Sequence, residues 1–320
     1  MLRNSALLVL ALLVTACSPQ PPAKSARAAV ASAPSTADTQ FNALSARWLD
    51  GAMHLSPVSA TQVGDHRFDA EIDDLSADGR AKSLQFSKTQ LAELEKIDRS
   101  TLSRDNQVDA SVLRNQLRYD VWTAETLQSW AWDPMIYSQL AGSTLYTLMA
   151  RDFAPMPKRL GNAITRMEKL PTLFAQMRAN LDPARVPKIH AETVAKQNKG
   201  VLSLVDELIV PHGGELSAAD HQRLDAAIAG LRKAVAEHQT WLDKTLVPNA
   251  KGDFRIGQKL YDEKLAFALD SPLTRAEIRQ RAEAEIVRVR SEMYSVARDV
   301  LGKQKGAPPT AETPSPEQQQ

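Results

Sequence analysis

The spacing of apolar residues constrains the fold of this chain more than any other sequence feature. From about residue 39 onward, apolar residues recur at intervals of three and four, which places them on one face of an α-helix. The longest such series is Ile278, Ala282, Ile286, Val289, Met293, Val296 and Val300. No segment shows the sustained alternation of apolar and polar residues that is typical of strands. The sequence therefore predicts an all-α fold, an array of long antiparallel helices with little or no sheet.

Capping residues and prolines indicate where the helices begin and end. The segment Thr274–Glu277 has the form of a capping box, in which the two side chains satisfy free backbone amides at a helix start. Other helices are predicted over residues 39–55, 80–98, 104–129, 155–179, 188–210 and 217–247. We therefore expect one helical domain over residues 39–302. Residues 303–320 are predicted to be a linker followed by the first turn of a truncated helix at Ser315-Pro316-Glu317.

The N-terminal segment predicts an export signal. Residues 1–16 contain Arg3 and then an apolar run of about eleven residues, which is too short to span a membrane but suits a secretory signal peptide. The run ends in VTAC, which resembles a bacterial lipobox and predicts cleavage after Ala16 and lipidation of Cys17. Residues 17–38 are rich in Ser, Pro and Ala and predict a disordered tether.

The same segment predicts where the protein resides and what it contacts. Cys17 is the single cysteine of the chain, so an internal disulfide framework is excluded. The residue after Cys17 is Ser18, and an aspartate at that position would favour retention at the inner membrane. We therefore expect anchoring at the periplasmic face of the outer membrane. Lys and Arg (39) balance Asp and Glu (38), which gives no reason to expect a nucleic-acid partner. The predicted partner is the membrane, through the lipid on Cys17.

The sequence contains no familiar catalytic or metal-binding motif. Six histidines are present, but H-E-x-x-H, which places two zinc ligands and a base on one helix face, is absent. His190 and Glu192 stand two positions apart and would face away from each other on a helix. We therefore predict no catalytic residue, metal ligand or cofactor in this chain. His238 lies on an apolar face and predicts a core histidine, and Asp73-Asp74 predicts a solvated turn.

Two local groups of residues could serve binding. Four aromatic residues fall close together in the sequence: Trp122, Trp130, Trp132 and Tyr137. They could pack in the core or form a surface on which a ligand stacks. His66 and Asp69 follow a glycine break and stand three residues apart. Such a pair can orient an imidazole for proton transfer, or the two side chains can simply bond each other and the backbone of the turn.

Several of these residues resemble a known family. The segment from Pro57 to Asp69, with Ala60-Thr61, Gly64, His66 and Phe68, resembles the opening of the large bacterial family called domain of unknown function 885. Its secreted members are often lipoproteins. Two further similar stretches are short: Asp74-Leu75-Ser76 and Asp133-Pro134-x-x-Tyr137. Two more lie in the middle and late parts of the chain: the segment with Arg159, Arg166 and Leu170-Pro171 that leads to Asn180-Leu181, and the segment from Phe254 to Gly257-x-x-x-Tyr261. The resemblance covers roughly residues 40–302.

The resemblance implies a helical fold like that of zinc-dependent carboxypeptidases and gluzincin-type peptidases. In the family, an H-E-x-x-P-G-H-H-like segment toward the C-terminal half carries the zinc ligands and general base, and nothing in this chain matches it. The resemblance thus implies the N-terminal, substrate-groove half of a membrane-anchored zinc-peptidase-like protein, truncated before the zinc motif and inactive alone. Zinc and a peptide substrate are implied for the full-length protein, and His66, Asp69 and Tyr261 are the predicted groove-lining residues.

A second hypothesis belongs to a different class. The chain could be a complete helical binding or scaffold lipoprotein of the periplasm without catalysis, with the aromatic group as its partner surface. The first hypothesis further predicts that the isolated chain exposes an apolar face, because a groove wall lacks its opposite half.

Overall fold

The structure is a computed structural model that describes residues 36–306, 309–312, 314–315 and 317. Its helices are α1 (Thr36–Leu55), α2 (Pro57–Val63), α3 (Ala77–Leu94), α4 (Arg104–Trp122), α5 (Ser129–Trp132), α6 (Met135–Met149), α7 (Met156–Asn180), α8 (Lys188–Gln197), α9 (Gly200–Leu204), α10 (Ala218–Trp241), α11 (Val247–Asn249), α12 (Gln258–Leu269) and α13 (Arg275–Leu301). Within the described residues the β-structure amounts to one isolated bridge between Pro187 and Gly252. The predicted all-α helical array is confirmed.

The predicted signal peptide, with Ala16 and Cys17, lies outside the described residues. The first described helix begins at Thr36, three residues before the predicted start at residue 39. Asp38 explains the difference, because its buried carboxylate accepts hydrogen bonds from the backbone N–H of Ser103 (2.9 Å) and the amide of Asn106 (2.6 Å). It therefore caps the start of α4, and this contact holds the first turn of α1 in place.

The core is built mainly on α7. This helix packs against α6 on one side and α10 on the other, and α9 closes the same apolar cluster. The buried face of α7 includes Leu160, Ile164, Met167 and Leu170, which are fully excluded from solvent. A separate apolar cluster joins α1, α3 and α4 through Phe41, Leu94 and Leu117, among others. Burial of these side chains removes apolar surface from water and stabilises the fold.

Three predicted helices are interrupted by wide π-helical turns at Thr123–Leu127, Val205–Ile209 and Leu242–Leu246. Two of these turns end two residues before a proline, at Pro211 and Pro248. A proline has no N–H to continue the regular hydrogen-bond ladder, so the helix widens in the turn before it. The predicted ranges 104–129, 188–210 and 217–247 are helical over most of their length but change helix type toward their C-terminal ends.

The last helix begins as predicted but does not pack as its pattern suggests. The capping box of Thr274 and Glu277 is present, with both reciprocal hydrogen bonds. Its apolar face is nevertheless open to solvent, since Ile286 is 52% and Met293 65% exposed. No residue of α12 or α13 is buried. The structure thus exposes an apolar face, because the local pattern dictates the helix but not what covers it.

The chain after α13 forms no helix at its described positions. The predicted start at Ser315 falls beside residues outside the description, and the Ser315 hydroxyl donates to the Glu317 carboxylate over 3.3 Å. No described helix combines the length and apolar character needed to cross a membrane.

Candidate functional site

A cavity of about 700 Å³ lies between α1, α3 and α4 and is the candidate functional site. Its walls carry aromatic and aliphatic side chains, among them Trp48, Phe86 and Tyr119. Three charged side chains, Arg80, Asp74 and Asp120, line the same cavity. This volume is within the range of small-molecule sites, and apolar walls with a few placed polar groups are their usual composition.

Arg80 is held in place by residues that are far apart in sequence. Its guanidinium donates hydrogen bonds to the Leu75 carbonyl (2.9 Å) and to the side-chain oxygen of Asn180. Asn180 in turn donates to the Leu75 carbonyl (2.7 Å) and to the Tyr137 hydroxyl (3.0 Å). The guanidinium carbon lies 4.2 Å from the centroid of the Trp130 ring, a cation–π contact. These contacts fix the orientation of the cation before any ligand arrives.

Asp120 is the acidic counterpart in the cavity wall. Burial raises the pKa of its carboxyl group, while a hydrogen bond of 2.8 Å from the Gln116 amide opposes that shift. A partly desolvated carboxylate interacts more strongly with a ligand cation than a solvated one, because the local dielectric constant is lower.

The predicted pairing of His66 and Asp69 is present. Their side chains lie 3.1 Å apart (Nδ1 to Oδ2), and the His66 ring stacks on Phe153 with ring centroids 3.6 Å apart. Asp69 is buried and also accepts a hydrogen bond of 2.7 Å from the Thr61 hydroxyl. The pair bonds each other within the turn, a contact that both interpretations share.

The structure does not bring Tyr261 to this pair. Tyr261 lies on α12, is 49% exposed, and belongs to a helix that packs on α4. His66 and Asp69 lie in the turn after α2, beside α7. None of the three residues lines the 700 Å³ cavity. Their predicted groove-lining role therefore stays a prediction.

Arg166 is a buried cation in one of the stretches that resemble the family. Its guanidinium donates to the Thr61 hydroxyl (2.7 Å), the Pro57 carbonyl (3.2 Å) and the Thr144 carbonyl (3.0 Å). Burial lowers its pKa to about 10, an effect opposed by the charges of Asp69 and Asp73. The side chain therefore stays charged at neutral pH and ties the turn after α2 to α6 and α7.

The prediction of a solvated turn at Asp73-Asp74 is wrong for its first residue. The Asp73 carboxylate accepts a hydrogen bond of 3.1 Å from the Val58 N–H at the start of α2, and burial raises its pKa. Asp74 is exposed, as predicted. The difference arises because α2 folds back over the turn and covers one of the two neighbouring carboxylates.

The four aromatic residues do not form one cluster. Trp130 lines the cavity, while Tyr137 is buried and donates a hydrogen bond of 2.6 Å to the Trp130 carbonyl. Trp122 contacts Phe267 of α12, and Trp132 lies beside His190. Sequence proximity could not separate these roles, because consecutive helices carry neighbouring residues to different faces.

The described residues do not fit a zinc centre. Histidines and carboxylates meet only in pairs, at His66–Asp69, His190–Asp133, His212–Glu215 and His221–Asp225. No group of three His, Cys, Asp or Glu side chains is close enough to hold a metal in this part of the chain. Three protein ligands are the minimum in catalytic zinc sites. No zinc chemistry is therefore placed on these residues.

Arg80 is the functional candidate that sequence reasoning missed. It lies near the start of α3 and belongs to no motif. The sequence did contain an indirect indication of this site, because Leu75, Tyr137 and Asn180 belong to three separate stretches that resemble the family. Only the fold shows that all three meet around the Arg80 guanidinium.

Comparison with known proteins gives a family match and a structural likeness. Residues 57–318 match the family described as bacterial protein of unknown function (DUF885). A solved structure from Shewanella oneidensis, described as a "putative lipoprotein of unknown function", is 28% identical with a TM-score of 0.71. The match covers 85% of this chain and 50% of that one, so the chain spans half the length of this relative. No curated protein matches the chain. The likeness is consistent with a lipoprotein of the cell envelope.

Proposed function

The chain belongs to the DUF885 family of bacterial proteins, and from that membership and the cavity geometry we propose that its helical domain binds peptides at the cell-envelope membrane. The lipid anchor proposed for Cys17 would hold the domain there, on the periplasmic face of the outer membrane. A single observation carries the binding proposal. Arg80, oriented by Asn180 and stacked on Trp130, lines a 700 Å³ cavity that also presents Asp120.

The composition of the cavity favours an amphipathic ligand with a carboxylate. A guanidinium is the side chain best suited to bind a carboxylate, because it presents several N–H donors in one plane. Aromatic walls accept apolar side chains, and Asp120 suits a ligand ammonium group. A short peptide with a free carboxyl terminus combines these features. The resemblance to peptidases supports the same ligand class.

We propose binding and not hydrolysis for the described domain. The resemblance implies zinc-dependent cleavage in a longer protein, whereas the described residues lack a zinc ligand set. The alternative, a scaffold lipoprotein without a small ligand, is supported by the exposed apolar face of α13. The two functions differ in whether the cavity binds a peptide.

Replacing Arg80 with glutamine is expected to remove the preference for a free carboxylate. The wild-type chain should bind the tripeptide Ala-Phe-Ala at least about tenfold more tightly than its C-terminal amide, since a charged hydrogen bond contributes about 1.5–3 kcal/mol. In Arg80→Gln the two ligands should bind equally. Isothermal titration calorimetry, or quenching of tryptophan fluorescence, measures both affinities.

Lys82→Gln is the matched control, because Lys82 is an exposed cation on the same helix and does not line the cavity. It should keep the preference for the free acid. Equal binding of acid and amide by the wild-type chain would contradict the assignment of Arg80, and failure of both to bind would favour the scaffold function.

Cys17→Ser is expected to abolish lipid attachment. Serine keeps the size of the side chain but lacks the thiol that is acylated in lipoproteins with this signal. Metabolic labelling with a palmitate analogue in a Gram-negative host should mark the wild-type chain and leave the variant unlabelled. Ser18→Ala should be labelled normally. Labelling of Cys17→Ser would show that the anchor, if present, is elsewhere in the chain.

A further inference from the structure

A second, smaller cavity of about 170 Å³ lies among α6, α7, α8 and α10. Its wall is mostly apolar and is formed by Ala141, Phe174, Met177, Val194, Val201 and Leu242. Four polar residues complete the lining: Ser138, Gln197, Asn198 and His238. An engineered apolar cavity of about 150 Å³ is large enough to hold benzene. The volume is therefore that of a single aromatic ring with a small substituent.

His238 provides a fixed hydrogen-bond donor in this wall. Its ring is 2% exposed and stacks between Phe174 and Trp241, with ring centroids 4.8 Å and 5.7 Å away. The Arg178 guanidinium lies 3.4 Å from His238 Nδ1. Because a guanidinium can only donate hydrogen bonds, Nδ1 is the acceptor. The neutral imidazole therefore carries its proton on Nε2. Burial lowers the pKa of His238 to about 4, which keeps the ring neutral at pH 7.

The Nε2–H group of His238 has no hydrogen-bond partner among the described residues. Asn198 offers a complementary acceptor. Its side chain is 8% exposed, and its amide nitrogen donates to the Val235 carbonyl and to Gln239, both over 3.0 Å. Its side-chain oxygen accepts no hydrogen bond in the described part of the chain. Neither atom is fully enclosed by protein, so both are accessible from the cavity, and a polar atom inside it would satisfy them.

The cavity has a route to solvent. Ser138, Gly142 and Gln197 line it and also line an open groove on the surface beside α6. These three residues form its mouth. A ligand could reach the cavity through this mouth without separation of the core helices.

We propose that this cavity binds a small neutral aromatic ring with one polar substituent, of the phenol type. The apolar wall would surround the ring, and the substituent would accept a hydrogen bond from His238 and donate one to Asn198. A free phenol and the side chain of a tyrosine share this chemistry. The site is separate from the Arg80 cavity, so it does not depend on the function proposed for that cavity.

The test measures binding of phenol, toluene and benzoate to the full chain by calorimetry and by the shift in melting temperature. Phenol should bind saturably and at least about tenfold more tightly than toluene, because toluene leaves His238 and Asn198 unpaired. Benzoate should bind weakly, since its charge would be buried. N-acetyltyrosinamide distinguishes the sources: binding indicates a tyrosine side chain, and no binding indicates a free phenol.

Two variants locate the site. Gly142→Leu should abolish phenol binding, because a leucine side chain there fills the cavity or its mouth. Gly161→Leu, in α7, is the matched control, since an added Cβ meets no atom within 4 Å at either glycine. His238→Phe should keep the ring stack but lower phenol affinity to that of toluene. If no ring binds saturably, or Gly142→Leu binds phenol as well as Gly161→Leu does, the proposal is overturned and the cavity holds only water.

Discussion

Arg166→Met is expected to lower the free energy of unfolding by about 3–5 kcal/mol, because it removes several hydrogen bonds from a buried cation, each contributing about 1.5–3 kcal/mol, and leaves their acceptors unpaired. Methionine keeps most of the volume but removes the charge and the donors to Thr61, Pro57 and Thr144. The Thr61 hydroxyl would then lose the guanidinium that now binds it. Asp69, buried beside it, would lose a compensating charge.

Chemical denaturation of the variant at pH 7 measures the loss. Arg223→Met is the matched control, because Arg223 binds Glu168 on α7 at 2.6 Å but both side chains are about half-exposed. Exposed pairs of this kind contribute at most about 1 kcal/mol. A similar small change in both variants would show that Arg166 is not needed to hold the turn after α2 against α7.

The stability of the wild-type domain is expected to fall between pH 6.5 and pH 4 because of His238. Its folded-state pKa of about 4 lies below the ordinary value of 6.5, so the unfolded state binds more protons across this window. The contribution of the neutral ring is fully present above pH 6.5 and is lost as pH falls toward 4. A shift of this size corresponds to up to about 3 kcal/mol.

Urea unfolding at several pH values between 7 and 4 tests the prediction. His238→Phe should show a weaker loss of stability on acidification, with the remaining slope due to carboxylates. His221→Phe is the control, because His221 lies on the same helix with its side chain half-exposed, and its pH dependence should match the wild type. If His238→Phe loses stability with pH as steeply as the wild type does, the buried neutral histidine makes no such contribution.

The sequence predicted the helices well where their signals are local. The apolar spacing and the capping box at Thr274 act within one or two turns, and the observed α13 begins where they indicate. The π turn at Leu242–Leu246 was not predictable in this way. Its geometry depends on how Leu242 and Leu246 fit the neighbouring core as well as on Pro248. Helix ends are decided by tertiary packing more than by propensity.

The site could be predicted only in part. His66 and Asp69 are three residues apart, so their hydrogen bond follows from local geometry. The contact of Arg80 with Asn180 spans 100 residues, and that of Arg166 with Thr61 spans 105. No spacing rule in one sequence relates residues at such distances.

By itself, the sequence determined the all-α class, the starts of α4, α7, α8, α10 and α13 and the core position of His238, because each depends on interactions within a few turns. It did not predict α6 (Met135–Met149), which lies in the core. Only the tertiary structure decided that Arg80 faces a cavity beside Trp130, that Asp73 is covered, and that the apolar face of α13 is left open. The physical reason is that periodicity shows which face of a helix is apolar. What that face meets depends on how distant segments pack, and burial, pKa and ligand access are all consequences of that packing.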